Sequence, residues 1–457
     1  MEYEIENIKF MSYSKLCDIH AKIFVPKNIK IKGIVQIVHG MTEYIDKYIE
    51  TIEYLLEKGY IVCGHDHLGH GDSYAKKEDR GYFGEKDGYK ALIKDTYTLT
   101  KFVKNKYPKY NYFMLGHSMG SFIARIVLSM HNDAFDGVIF MGTGGPNSLA
   151  TTGIKVARRM AEKKGARYVS TSLIDAANRF FNAGIKNPKT SHDWTTRDEE
   201  VIAKRLKDKR ADFSFSVKGY EDLFSLSKLA NDEKTLAKID NKKHIIFLSG
   251  DKDPVGNNGK GVAKLYEYFL ENNYDNVEIK LYKDARHELL KELNKETVKK
   301  DIVKFLERVE EDLEKEEKTK LRLEEYIFPQ LVHEYNLNTR KKFAILIKIN
   351  RINDEHLYGE DDIEIVNIIN GKKDNILETP VYLSLIDGCN KFDNNLERMI
   401  LISNDKLSPM EIAACNNCNL HVVYYLKGKY TDKQIDTIKY LAKEKGTYAF
   451  KEIKFVD

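Results

Sequence analysis

Apolar residues fall along this chain in two alternating rhythms. Short, nearly unbroken runs rich in branched side chains occur at GIVQIVHG (33–40), YIVCGHDHLGHGDS (60–73), NYFMLGHS (111–118) and DGVIFMGTG (136–144). Between them, YIDKYIETIEYLLEKG, KDGYKALIKDTYTLTKFVKNKYP and SFIARIVLSMH repeat their apolar residues at helical spacing. Continuous apolar runs suit strands buried on both faces, and helical crossovers join parallel strands. The first 145 residues therefore predict a parallel sheet with helices on both faces.

The alternation breaks after Pro146. Residues 147–235 predict helices rich in Lys and Arg, with no clear strand. It resumes at HIIFLSGDKDP (244–254), followed by the helix GKGVAKLYEYFLEN, a strand in NVEIKLYKDARHE (276–288) and a helix running past Val309. A helical insertion thus interrupts a regular α/β domain spanning 1–312. Placed between strands at the C-terminal edge of such a sheet, it would lie over the ligand crevice. A charged stretch without glycine or proline, EEDLEKEEKTKLRLEE (310–325), predicts a helical linker over 313–325. Residues 326–457 shift toward Asn, Ile and Tyr and carry their own runs: FAILIKI, IEIVNII, PVYLSLID, RMILISND, LHVVYYL and YAFKEIKFV. With the helical TDKQIDTIKYLAKEKG, they predict a second, smaller α/β domain.

Composition narrows the function. The 457 residues are 42% hydrophobic and 32% charged, as in soluble globular proteins. Net charge is +4 from 74 basic and 70 acidic residues, which leaves no nucleic-acid footprint. No apolar run is long enough to span a bilayer. The N-terminal MEYEIENIKFMSYSKL lacks the pattern of a secretory signal, so a cytoplasmic location is expected. Of the five cysteines, Cys415 and Cys418 form a lone Cys-x-x-Cys, without the further ligands of a zinc site. Buried or incidental thiols are the expectation, with a redox pair as the alternative.

The candidate chemistry centres on Gly116-His117-Ser118-Met119-Gly120, a Gly-x-Ser-x-Gly stretch between a predicted strand and a predicted helix. A sharp turn there needs small neighbours. It would lift the Ser118 hydroxyl above the sheet edge, at the N-terminal amides of the helix. A serine hydroxyl needs a base, and the base needs an acid to hold its tautomer. SGDKDPV places Asp251 and Asp253 after one strand, and DARHE places His287 after the next. Asp253, at the loop tip before Pro254, is preferred. Asp251 follows Gly250 directly and suits a turn role. The oxyanion of acyl transfer needs two backbone donors: Met119, after the nucleophile, and Met41 in VHGMTEY.

VHGMTEY, HDHLGHGDS, LGHSMGS, SGDKDPV and DARHE occur in this order, with HDWTTRDEE (192–200) in the insertion. With them, residues 8–312 resemble the α/β-hydrolases of the monoacylglycerol lipase and lysophospholipase group, also classed with serine aminopeptidases. The resemblance implies an α/β-hydrolase fold with a helical cap. It also implies Ser118 as nucleophile, Asp253 and His287 as its partners, and Met41 and Met119 as oxyanion donors. Single-chain lipid esters, of monoacylglycerol or lysophospholipid type, are the implied substrates. No metal or organic cofactor is needed. No family is recognised for 326–457.

Plainer readings apply elsewhere. His65, His67 and His70 have neither helical ligand spacing nor a carboxylate scaffold. With Asp66 they are expected to bond the loop and buttress the site rather than bind metal. His117 either lines the pocket or packs on the sheet. In the cap, GIKVARRMAEKKGARY sets Ile154, Val156, Ala157, Met160 and Ala161 on one side and Lys155, Arg158, Arg159, Lys163 and Lys164 on the other. That basic side is either a solvated face of a packed helix, the plainer reading, or a transient contact with an anionic lipid surface. Trp194 lines an acyl pocket or packs within the cap. Asp387 and Asp405 read as turn and cap residues. Two other functions fit the pattern. One is an aminopeptidase or amidase, with Asp198, Glu199 and Glu200 as candidates to hold a substrate amine. The other is a regulatory or interaction protein whose C-terminal domain, of unknown partner, carries the main role.

Overall fold

The computed structural model describes residues 2–146 and 149–322, together with five later strands. It divides into two compact units, Met1–Glu311 and Asp312–Asp457. The first is built on an eight-stranded sheet: β1 (Tyr3–Met11), β2 (Asp18–Pro26), β3 (Gly33–Val38), β4 (Tyr60–His65), β5 (Asn111–His117), β6 (Gly137–Met141), β7 (His244–Gly250) and β8 (Val277–Tyr282). Their spatial order is β1-β2-β4-β3-β5-β6-β7-β8. From β4 to β8 every pairing is parallel. β3, β4 and β6 are buried along their whole length, as their unbroken apolar runs require.

The sequence pattern did not reveal β1 and β2, an antiparallel pair added to one edge of the sheet. β1 interleaves apolar and charged residues and none of it is fully buried, so it carries no apolar run. Ile8 and Phe10 still pack on the core from it.

The described helices of the chain are α1 (Ile49–Glu57), α2 (Tyr89–Lys106), α3 (Met119–Met130), α4 (Leu149–Lys164), α5 (Thr171–Asn182), α6 (Glu199–Lys207), α7 (Val217–Ala230), α8 (Glu233–Leu236), α9 (Lys260–Glu271) and α10 (Lys295–Arg322). The chain steps from β3 to β4, then back across β3 to β5 and onward. Right-handed crossovers therefore set α1 on one face and α2, α3 and α9 on the other. That reversal makes the C-terminal ends of β3 and β5 a switch point, where open α/β sheets bind ligands. Register brings those ends level: Val38 pairs with Gly116, and His117 with Met141.

Helices α4 to α8 form the cap between β6 and β7. Gly153 of α4 lies against the Phe224 ring of α7, where a Cβ would approach to 2.7 Å. Ala157 is fully buried, but Val156 is exposed, so it does not join the apolar side assigned from the sequence. α7 in turn packs on α3. Fully buried Arg125 of α3 reaches Asn231 Oδ1 at 2.8 Å and Thr143 Oγ1 at 2.5 Å, tying the cap base to the turn after β6. The charged run after Val309 continues helix α10 as far as Arg322. Among the described residues, no helix is long and apolar enough to cross a membrane.

The second unit contains a mixed sheet of β9 (Phe343–Ile349), β10 (Ile363–Asn370), β11 (Arg398–Ser403), β12 (Leu420–Tyr425) and β13 (Ile453–Val456), in the order β10-β9-β11-β12-β13. β9 is antiparallel to β10 and β11, while β11, β12 and β13 run parallel. The expected strand PVYLSLID, the expected helix TDKQIDTIKYLAKEKG, and Asp387, Asp405, Cys389, Cys415 and Cys418 lie outside the described residues.

The start of α3 is held close to the end of β3. A Cβ on Gly120 would sit 2.0 Å from the Val38 carbonyl oxygen. We predict that Gly120→Ala lowers unfolding stability by about 1–3 kcal/mol, measured by urea titration, because backbone on both sides must move. Unchanged stability would contradict this packing.

Candidate active site

β5 delivers its last residue, His117, to a turn that β-branched or bulky residues could not make. Ser118 sits at φ 53°, ψ −121°, outside the regions L-residues favour. Helix α3 begins at the next residue. The flanking glycines are required by sterics. A Cβ at Gly116 would lie 2.6 Å from the Gly120 carbonyl and 2.8 Å from Ala124 Cβ. The turn is fastened by Ser118 N–H donating to the Met141 carbonyl at 2.9 Å, and by Ser121 Oγ–H donating to the Ser118 carbonyl at 2.6 Å. Between Tyr112 and Ser129, Ser118 is the one residue that is not buried.

The loops after β7 and β8 meet beside this turn. At Gly250 a Cβ would lie 2.1 Å from the Ala285 carbonyl, so only glycine permits the approach. Asp253 is fully buried. Its Oδ1 accepts the Val255 N–H at 2.9 Å, and its Oδ2 lies 2.9 Å from His287 Nδ1. Asp251 instead points toward Lys252 at 3.9 Å, with its backbone amide bonded to Tyr282 O at 3.1 Å. The structure therefore pairs His287 with Asp253. The His287 ring lies 4.9 Å from the His117 ring and 4.8 Å from the Trp194 ring, which stacks on Phe181 at 4.5 Å. Trp194 thus roofs the histidine from the cap. His117 lies between Ser118 and this histidine, its Nε2 3.4 Å from the His287 carbonyl oxygen.

The loop after β3 closes the third side. A Cβ on Gly40 would lie 3.0 Å from Ser118 Cβ, so this backbone abuts the serine. Gly40 N–H donates to Glu43 Oε2 at 2.6 Å, and Glu43 N–H returns to Gly40 O at 3.3 Å. Among the described residues, neither the Met41 nor the Met119 amide donates a hydrogen bond. Arg205, from cap helix α6, bridges Thr42 Oγ1 at 2.8 Å and Glu288 Oε1 at 3.0 Å. Arg286 donates to the Asp193 and Thr196 carbonyls at 2.6 and 3.0 Å. Glu43, Arg205 and Glu288 were not picked out from the sequence. Glu43 stands within VHGMTEY, but nothing local marks its partners.

Residues 29–294 match the family described as serine aminopeptidase, S33. The chain belongs to this family. A monoglyceride lipase homolog of monkeypox virus is 26% identical over 277 residues, 60% of this chain and 88% of the relative. Human monoglyceride lipase is 24% identical over 262 residues, 57% of this chain and 77% of the relative. Among solved structures, a highly thermostable carboxyl esterase from Bacillus coagulans, in complex with glycerol, superposes with a TM-score of 0.63 at 28% identity. It covers 67% of this chain and 99% of its own. A soluble variant of monoglyceride lipase from Saccharomyces cerevisiae shares the fold, with a TM-score of 0.53 at 20% identity over 68% of this chain and 96% of its own.

In this S33-family chain the histidine-rich loop is a buried support. His67 N–H donates to His39 Nε2 at 2.9 Å, and His67 Nε2 lies 3.1 Å from the His39 carbonyl. The His39 and His67 rings are 4.2 Å apart, and His70 stacks on Phe83. Asp66 Oδ1 accepts the Ile45 N–H at 2.8 Å and its Oδ2 the Asp72 N–H at 2.9 Å, joining the loops after β3 and β4. Among the described residues, no group of three or more His, Cys, Asp or Glu side chains is arranged to hold a metal ion. Burial pushes the Cys17 thiol up to about 11 and Cys63 to about 12, so both are protonated and unreactive at neutral pH.

Burial drives the His65 pKa down to about 3, and its two ring nitrogens have no hydrogen-bond partner among the described residues. The unfolded chain binds a proton at this residue below about pH 6.5 while the folded chain refuses it. Stability is therefore lost as pH falls from about 6.5 toward 3. Buried Asp66 and Asp222, raised to about 6 and about 7, act with the opposite sign, so the comparison must be made against a variant. His65→Leu should lose about 2 kcal/mol less stability than wild type between pH 7 and pH 5, measured by urea unfolding. Parallel losses in the two proteins would contradict the buried neutral imidazole.

Proposed function

We propose that this chain is a serine hydrolase of carboxylic esters. One observation carries the reading: the Asp253–His287 pair sits against His117 at the strained Ser118 turn, with the Gly40 backbone close on the same serine. Asp253 holds the proton on His287 Nδ1 and leaves Nε2 free to act as base. In the reacting complex the Ser118 hydroxyl donates to that nitrogen, a bond often loose without substrate. Ser118 Oγ then attacks the ester carbonyl carbon and its proton passes to His287 Nε2. The carbonyl oxygen becomes an oxyanion facing the Met41 and Met119 amides, the latter in the first turn of α3 with its favourable dipole. Collapse expels the alcohol, protonated by His287. Water, deprotonated by the same histidine, attacks the acyl-serine and releases the acid.

For the substrate we infer a single-chain lipid ester of monoacylglycerol or lysophospholipid type. The names of the viral and human relatives support this, as does an aromatic roof of Trp194 and Phe181 over His287. The aminopeptidase alternative needs an acidic group to anchor an amine. Its candidates are poorly placed for that: Asp198 Oδ1 caps α6 through the Glu200 and Val201 amides, Glu199 pairs with Lys189, and Glu199 and Glu200 are exposed to solvent. Transient contact with an anionic lipid surface is supported by Val156, Tyr168, Val169 and Phe180. All are exposed on or beside α4 and α5, among Lys155, Arg159, Lys163 and Lys164. We keep the cytoplasm as the compartment on the cysteine usage alone.

A fluorophosphonate probe should form a covalent adduct with the wild-type protein and none with Ser118→Ala; labelling of the alanine variant would end the assignment. Asp253→Asn should lower kcat for a nitrophenyl acyl ester about 10⁴-fold, since it favours the wrong imidazole tautomer. Acyl esters should turn over faster than amino-acid anilides, and the reverse order would favour the aminopeptidase reading.

A further inference from the structure

The residue before the nucleophile, His117, is buried in a setting of its own. Its Nδ1 lies 2.9 Å from Glu43 Oε2, and its Nε2 lies 3.4 Å from the His287 carbonyl oxygen. Nδ1 also lies 3.1 Å from the Tyr48 hydroxyl, whose single proton goes to Glu43 at 2.7 Å. Both ring nitrogens therefore face acceptors, and an imidazolium, with a proton on each, satisfies both. The same Glu43 oxygen accepts the Gly40 N–H at 2.6 Å and the Tyr48 hydroxyl at 2.7 Å. One carboxylate oxygen thus gathers the oxyanion loop, through Gly40, and the nucleophile strand, through His117. His117 in turn reaches the backbone of His287. The gathering is tight: a Cβ at Gly40 would be 2.8 Å from Glu43 Oε2, 3.0 Å from Ser118 Cβ and 3.2 Å from His117 Nδ1.

The surrounding charges favour this arrangement. Lys47 Nζ lies 3.8 Å from Glu43 Oε1, and Glu288 across the site is matched by Arg205 of α6. Lys291 also faces the small cavity behind His117. Burial alone would push the His117 pKa down, but the neighbouring Glu43 carboxylate outweighs it and holds the value above the usual imidazole range. Burial would raise Glu43, yet His117, Lys47 and Tyr48 keep it well below the carboxylate range.

We propose that Glu43, acting through His117, is a positioning residue that fixes the oxyanion loop and the His287 loop at catalytic distance from Ser118. The proposal rests on the hydrolase reading above. Glu43 touches no reacting atom. Its effect is on geometry, and a displacement of about 1 Å at such a site costs on the order of 100-fold in rate.

The test is kinetics on the full chain with nitrophenyl butyrate, alongside fluorophosphonate labelling and ¹⁵N NMR of the histidine rings. Glu43→Gln should lower kcat about 100-fold with KM changed less than about twofold. Glu43→Asp, which keeps the charge, should recover part of that loss. His117→Gln should cost a similar amount, and the double variant no more than the worse single one, because both break one unit. In the wild-type protein the His117 ring should titrate at higher pH than a free imidazole, a readout independent of how any variant folds. Wild-type kcat in a folded Glu43→Gln, additive losses in the double variant, or a His117 that titrates no higher than a free imidazole would each overturn the proposal while leaving Ser118 labelling intact. A wild-type protein that takes no label would overturn the hydrolase reading and this proposal together.

Discussion

At Ser118 the backbone is driven to φ 53°, ψ −121°, and the geometry of the site follows from how that turn is held. Such a conformation costs on the order of 1–3 kcal/mol and persists only where its surroundings over-determine it. Here Met141 receives the Ser118 amide, Ser121 bonds the Ser118 carbonyl, and Gly116 and Gly120 leave no room for slack. The strain raises one partly exposed hydroxyl from an otherwise buried run. It also lets the backbone of β3 and its following loop come within contact of the serine. A side chain at Gly40 would separate the two.

The cap is part of the same construction. Because it leaves the sheet after β6 and returns at β7, it hangs over the edge where β5 ends. Its attachments run through arginines to the loops that carry the chemistry. Arg205 grips Thr42 and Glu288, Arg197 grips buried Glu292, and Arg286 answers from the His287 loop to Asp193 and Thr196. Glu288 is buried, so truncating Arg205 would strand a charge rather than free a surface pair. Trp194, placed by this framework, covers His287 and removes it from bulk water. Cap position and catalytic geometry are thus set by the same contacts.

Strands β3 to β7 were legible in the sequence because burial on both faces demands continuous apolar runs, and β8, an edge strand of mixed burial, was legible from its alternating pattern between two helices. β1 escaped notice because a half-buried edge strand needs none. Ser118 stood out for a local reason, directly after β5 between two glycines, whereas Asp253 and His287 were read from the loops beyond β7 and β8, the first by its place before Pro254. Glu43 was not, because its meaning lies in His117, 74 residues away in the chain and 2.9 Å away in space. Val156 was misassigned to the apolar side of its helix, since helical spacing gives a face but not which neighbour covers it.

The central claim is that one folded edge brings a nucleophile, a base and two oxyanion amides around a single carbonyl carbon. The most direct measurement is a crystal structure of the protein after reaction with an alkyl fluorophosphonate. The account predicts phosphorus bonded to Ser118 Oγ, with the phosphoryl oxygen about 2.7–3.1 Å from both the Met41 and Met119 amide nitrogens. His287 Nε2 should lie beside the serine oxygen. An adduct on another residue, or a phosphoryl oxygen turned away from those amides, would contradict it.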